Sequence, residues 1–261
     1  MEASSHRPSR RPMSDRWHTE VLRSEFERTS QTFGERTKGR FDGMGIVEFS
    51  RVSDRAKVLE VGVGTGNFLG LFDGPSRNLI GVDLTPAMIL KARAAFPAFG
   101  LVVADGAKLP LDSRSVDLAS TAQTLHHIWE PLPVLREMRR VTAESGRVLV
   151  IDQIAPESFE QAIAMNELEM IRDPSHASSR PPSALRTLMR VAGLSIVDER
   201  IVGSRQRFSN WMPAIEFPPE RIEKVRSFID HHGDATGMNF ESNGNDYTYD
   251  RKRMMILAER D

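Results

Sequence analysis

The chain has 261 residues, with Lys+Arg 35, Asp+Glu 36, a formal net charge of -1 and 39% apolar residues. This length suits one large α/β domain or two small ones, and the near-neutral balance excludes a global attraction to nucleic acid or anionic membrane. Cysteine is absent, which excludes disulfides, thiolate catalysis and Cys-based zinc sites. No apolar run reaches the ~18–20 residues of a membrane span, and the first residues lack the apolar stretch of a secretory signal, so a cytoplasmic protein is expected.

Residues 1–16 (MEASSHRPSRRPMSDR) are polar and Arg-rich and read as a disordered tail. Residues 17–52 are helical in places, with breaks at Gly34, Gly39, Gly43 and Gly45. From Lys57 short apolar runs alternate with helical segments. KVLEV (57–61), LIGVD (79–83), GLVVAD (100–105), VDLAST (116–121) and RVLVID (147–152) read as strands. Thr85-Pro86 opens a helix, with Thr85 as N-cap and Pro86 at the first helical position. Val134, Leu135, Met138 and Val141 form one helical face before the fifth strand. This alternation predicts a doubly wound, mostly parallel sheet with right-handed crossovers, covered on both faces. Further on, a helix is expected around 157–171, a loop at RDPSH (172–176) and a helix from Ser183 stopped by Gly193. LSIVDERIV (194–202) and KRMMILAER (252–260) read as strands. The interval 204–248, with Trp211 and several prolines, reads as an insertion folded over the sheet edge.

The informative segment is VLEVGVGTG (58–66), a strand running into Gly62, Gly64 and Gly66. Glycine admits positive φ and close ligand approach, and ligands of open parallel sheets bind beyond the carboxyl ends of the strands. Asp83 ends the next strand, 21 residues after Gly62, where a carboxylate can accept from a ribose diol. Asp105 ends the third strand, with the Gly106 backbone close by, and suits a purine edge. A dinucleotide site usually shows G-x-G-x-x-G. Here the spacing is G-x-G-x-G, and Glu60 sits two residues before the first glycine. That carboxylate is awkward beside a pyrophosphate and suits an ammonium group. S-adenosylmethionine (SAM) offers an amino acid end, a ribose diol, an adenine and a sulfonium, and no phosphate. A tight turn without a ligand is the bland alternative, and a nicotinamide cofactor a further one.

At these residues the chain resembles the class I SAM-dependent methyltransferases, and most the ubiquinone/menaquinone-type and small-molecule (type 11) group. VLEVGVGTGNF (58–68), GVDLTPAMILKAR (81–93), ADGAKLPLDSRSVDLASTAQTLHHI (104–128) and LREMRRVTAESGRVLVID (135–152) carry the likeness. The resemblance implies a Rossmann-like α/β fold of roughly seven strands, the last antiparallel, in a single domain over 17–261 with its core at 57–152. It makes 17–52 and 204–248 the lid elements. It implies SAM as cofactor, with Asp83 on the ribose, Leu84 and Met88 flanking adenine, Asp105 near the adenine amine, and Thr121 at the fourth motif. TAQT (121–124) stands where amino-group methyltransferases carry an Asn-Pro-Pro-Tyr type segment, which argues against a base or glutamine acceptor.

Methyl transfer from a sulfonium is an in-line displacement that depends chiefly on positioning. His126 and His127 follow the fourth strand and are candidates to position or deprotonate the acceptor. The bland alternative is that the pair caps a strand–helix loop and packs beside the cofactor pocket. His176 in RDPSH is a second candidate, in a segment of good turn formers. Phe33 and Trp211, with Phe26, Phe41, Met212, Phe217 and Phe228, are candidates to line a substrate cavity or to form lid core. Arg36 and Arg40 could meet an anionic substrate or form a solvated helix face. His231-His232 lack a third ligand at useful spacing, so no metal is expected. The expected activity is methylation of O, N or C of a small-molecule acceptor, with no nucleic acid, no membrane span and a homodimer left open. The alternatives are an RNA- or protein-modifying methyltransferase and a SAM-binding protein without transferase activity.

Overall fold

A computed structural model describes residues 14–261. The tail expected over 1–16 lies outside the described residues as far as residue 13, while Ser14 already opens the first helix. The strands are β1 (Lys57–Val61), β2 (Asn78–Asp83), β3 (Gly100–Val103), β4 (Val116–Ala122), β5 (Thr142–Gln153), β6 (Leu194–Arg207), β7 (Glu241–Asn243) and β8 (Asp246–Arg260). They form one sheet in the order β3-β2-β1-β4-β5-β8-β6, with the short β7 on β8. β1 to β5 pair in parallel, and β8 runs antiparallel between β5 and β6. The expected antiparallel last strand is present, and β7 adds an eighth.

Strand alternation sends successive side chains to opposite faces. Leu149 and Ile151 pack with Phe68, Phe72 and Ile89 on one face. Val148 and Val150 pack with Leu135, Met138 and Met189 on the other. The covering helices are α1 (Ser14–Thr37), α2 (Ile46–Ser50), α3 (Pro86–Ala95), α4 (Pro131–Val141), α5 (Phe159–Arg172), α6 (Pro182–Val191), α7 (Phe208–Trp211) and α8 (Pro219–His232). The α4 face of Val134, Leu135, Met138 and Val141 is buried as its spacing predicts. Among the described residues, no helix is long and apolar enough to cross a membrane.

Three local expectations change. Gly34 does not break α1; its carbonyl accepts from Asn67 Nδ2 at 2.7 Å, and the helix docks there against the glycine loop. A mid-helix glycine costs only about 1 kcal/mol, which docking offsets. Thr85 stands at the N-cap of α3, but its hydroxyl does not cap the helix; the Asp83 carboxylate accepts the Thr85 amide instead. The 204–248 insertion is shorter than expected, because β6 and β8 continue as a hairpin as far as Arg207 and Thr248. The remainder packs on α5, where Phe208, Trp211, Met165, Leu168 and Tyr249 form a third core.

Candidate functional site

The loop after β1 turns at Gly62 (φ 78) and Gly66 (φ 89). A Cβ at Gly62 would lie 2.4 Å from Thr124, and one at Gly66 2.7 Å from Phe96, so neither position accepts a side chain. The Gly62 and Val63 amides donate to the Val82 carbonyl at 2.8 and 3.0 Å and tie the loop to β2. Gly64 N donates to Asp83 Oδ2 at 2.8 Å, and Thr85 N donates to Oδ1 at 2.8 Å. Burial raises the Asp83 carboxyl, and these amides pull it back. Each Asp83 oxygen keeps a further lone pair.

Glu60 is 1% exposed, and its Oε2 has no hydrogen-bond partner among the described residues. Burial raises its carboxyl well above the ordinary range, and the Leu69 amide offsets only part of that. A cavity of about 550 Å³ opens here, walled by Glu60, Gly62, Gly64, Asp83, Leu84, Asp105 and Gly106. Asp105 accepts the Ala107 amide on Oδ1 at 2.9 Å. α1 roofs this cavity with His18, Phe26 and Phe33. It is fastened by His18 Nε2 to the His127 carbonyl at 2.8 Å.

Three residues expected at the cofactor, Gly66, Met88 and Thr121, are not on this wall. Met88 is 1% exposed, in the first turn of α3. Thr121 is fully buried within β4, its hydroxyl donating to the Val61 carbonyl at 2.9 Å. Strand alternation turns 121 away and brings Ala122 to the cavity.

A second cavity of about 840 Å³ adjoins the first and shares Phe26, Phe33, Arg40, Gln123 and His127 with it. His126 and Trp211 line this second chamber. His127 Nδ1 lies 3.0 Å from the Ser175 carbonyl. A carbonyl only accepts, so Nδ1 carries the proton and Nε2 is left basic. His126 is gripped by Asp152, which accepts its amide on Oδ2 at 2.9 Å and faces its Nδ1 at 2.5 Å with Oδ1. Burial pushes the Asp152 carboxyl up to about 6 and holds the His126 imidazole well below its ordinary value.

His176 lines neither cavity. It packs behind the site, with Nε2 on Asn166 Oδ1 at 2.8 Å, and burial lowers it to about 4. Phe41 reaches the first cavity and Phe217 the second, while Met212 and Phe228 reach neither. The side chain of Arg36 lies outside the described residues. His231 and His232 belong to no group of three or more metal-ligand side chains among the described residues. Asp152 went unread in the sequence, although it stands one residue from the end of β5, much as Asp83 stands at the end of β2. Gln123, at φ 54 just past β4, carried no sequence signal.

A profile described as a methyltransferase domain, of the type 11 group, matches residues 59–150. A demethylmenaquinone methyltransferase of Roseiflexus castenholzii is 30% identical over 172 residues, 56% of this chain and 71% of that protein. The chain belongs to the class I SAM-dependent methyltransferases. The uncharacterized methyltransferase YcgJ of Bacillus subtilis is 24% identical over 77% of this chain and 83% of that one. The crystal structure of YcgJ shares the fold, with a TM-score of 0.75 and 22% identity over 83% of this chain and 97% of that chain. SAM is the cofactor of this methyltransferase. The first cavity fits it: the unpartnered Glu60 oxygen suits an ammonium group, and the glycine turn leaves backbone open where side chains would intrude.

Proposed function

We propose that this methyltransferase acts on O, N or C of a small-molecule acceptor held in the second chamber, with the cofactor in the first. The observation that carries this reading is the pair of adjoining chambers, roofed by α1 and flanked by the 208–245 segment, with His127 and Gln123 in the partition. A chamber of this size suits a metabolite. The likeness to a demethylmenaquinone methyltransferase supports a small acceptor.

In this reading Glu60 takes the ammonium end of the cofactor, Asp83 the ribose diol, Asp105 the adenine amine, and Leu84 and Gly106 flank the ring. Bound SAM supplies an electrophilic methyl group. The chain's residues then hold the acceptor in line, and positioning of this kind can contribute roughly 7–11 kcal/mol. His127 or His126 takes a proton from the acceptor through its free Nε2, Asp152 orienting His126 through Nδ1. Such a base contributes typically ~10²–10⁴-fold.

Labelled SAM offered with metabolite extracts, protein and RNA tests the acceptor class, and label appearing in a small molecule is the expected result. His126→Gln and His127→Gln test the base. The expected outcome is a fall in kcat of about 10²-fold or more for at least one of them, with SAM affinity retained. Unchanged turnover in both removes the base role.

A further inference from the structure

The second chamber carries positive charge that its own wall does not balance. Among the described lining residues arginines outnumber carboxylates, and Glu25, Asp42 and Asp173 are the acidic ones. Most of the arginines are committed. Arg205 pairs with Glu241 and Asp250, and Arg28 with Glu25. Arg172 and Arg251 share the buried Glu169, at 2.8 and 3.4 Å, and both lie over the Trp211 ring.

Arg253 is different. It is 9% exposed, lines the chamber, and has no hydrogen bond, salt bridge or ring contact with any described residue. A buried guanidinium without a counter-ion is costly. Burial and the neighbouring Arg251 charge lower it to about 10, so it stays cationic at neutral pH. Arg251 stands two residues along β8, on the same face, and repels it. Across the ladder Arg253 faces Gln153 and Val202. Gln153 accepts from Arg251 and donates to Ser179, so it supplies no balancing charge. Asp152, next to Gln153, is bonded to His126; its charge favours the Arg253 cation without touching it, and burial and Arg251 outweigh it. Arg207, exposed at the end of β6 on the rim of the same chamber, makes no ion pair with any described residue.

We propose that the acceptor is an anion, whose carboxylate or phosphate docks against Arg253, with Arg207 as a second contact, on the wall that also carries His126. This rests on the two-chamber reading above. Charge-assisted bonds from a fixed guanidinium are strong and directional. They would hold one end of the acceptor while the rest reaches the partition at Gln123 and His127.

The test titrates the full chain, loaded with S-adenosylhomocysteine, with phenyl phosphate, benzoate and benzamide at low ionic strength by calorimetry. Binding of at least one anion, with benzamide at least about tenfold weaker, is expected. Arg253→Gln should weaken the anion about tenfold or more, Arg253→Lys should restore part of that loss, and Arg207→Gln should act in the same direction. S-adenosylhomocysteine affinity should be unchanged in all three variants, which also reports that they fold. A preference for phenyl phosphate over benzoate assigns a phosphate, and the reverse a carboxylate. Equal binding of benzamide and benzoate, no anion binding at millimolar concentration, or an unchanged affinity in Arg253→Gln overturns the proposal. Labelled methyl appearing only in protein or RNA overturns the small-molecule reading and this one with it. Turnover of a neutral small molecule unaffected by Arg253→Gln overturns the anion assignment alone.

Discussion

Glu60 combines a buried, unpartnered carboxyl oxygen with a pKa raised by burial. An ammonium group brought beside it favours the ionised form, so cofactor binding should release a proton. SAM affinity should therefore fall as pH is lowered. Calorimetry in buffers of differing ionisation enthalpy reads that proton. Glu60→Gln should weaken SAM about 10–100-fold, some 1.4–2.7 kcal/mol, and barely change 5′-methylthioadenosine, which lacks the amino acid end. Equal loss for both ligands would remove the ammonium role. At Gly62 the obstacle is steric: a Cβ would collide with Thr124 at a positive φ. Gly62→Ala should cost about 1–3 kcal/mol of stability and shift the loop off Val82, visible as a lowered melting temperature together with lost SAM stabilisation.

Between elements, α5 is joined to β8 by charge. Glu169 is fully buried between Arg172 and Arg251. Burial alone would raise its carboxyl, but these guanidiniums outweigh it and hold the carboxyl down at about 2. A depressed carboxylate contributes stability that is present above its unfolded pKa and is lost as pH falls through the folded one. This contribution should disappear between about pH 4.5 and 2. Glu169→Gln should destabilise the chain by about 3 kcal/mol at neutral pH, leaving the buried Arg251 without its carboxylate and Arg172 with only the longer Asp173 contact, and flatten the acid limb of denaturation. Helix α1 rests on a few isolated side-chain fixtures, His18 to the His127 carbonyl, Asn67 to Gly34 and Thr37, Arg28 to the Glu216 carbonyl, Lys91 to Gln31 and Arg221 to Glu25. Few fixtures mean cheap local opening. Bound SAM should slow amide exchange over 26–37 more than over α8, and Asn67→Ala should raise exchange in the ligand-free protein.

At the scale of the whole molecule, the sheet separates two large cores, while the third, around Trp211, stands apart on α5 and the insertion. Leu149 is fully buried at the centre, whereas Ile215 in the insertion is 91% exposed. Leu149→Ala should cost about 3–4 kcal/mol, and Ile215→Ala should change stability by less than about 0.5 kcal/mol, both measured by denaturant unfolding.

The sequence by itself determined β1 to β5, the glycine loop and the strand-end acids Glu60, Asp83 and Asp105. These are local signals: an apolar run, a residue type that alone tolerates a given φ, a carboxylate at a fixed offset. It left the length of β6 unread because that strand is largely exposed and carries no apolar run. It placed Met88, Thr121 and His176 at the site, although a position near a motif does not say which way its side chain turns. The second chamber was decided by tertiary structure alone. Its wall joins α1, the loop after α5, β6 and the middle of β8, segments far apart in the chain. Arg253 comes beside Gln153, one residue from the Asp152 that holds His126, only because β8 inserts antiparallel between β5 and β6. No local pattern encodes that insertion, since it depends on which strand edges remain to be covered once the parallel half of the sheet has formed.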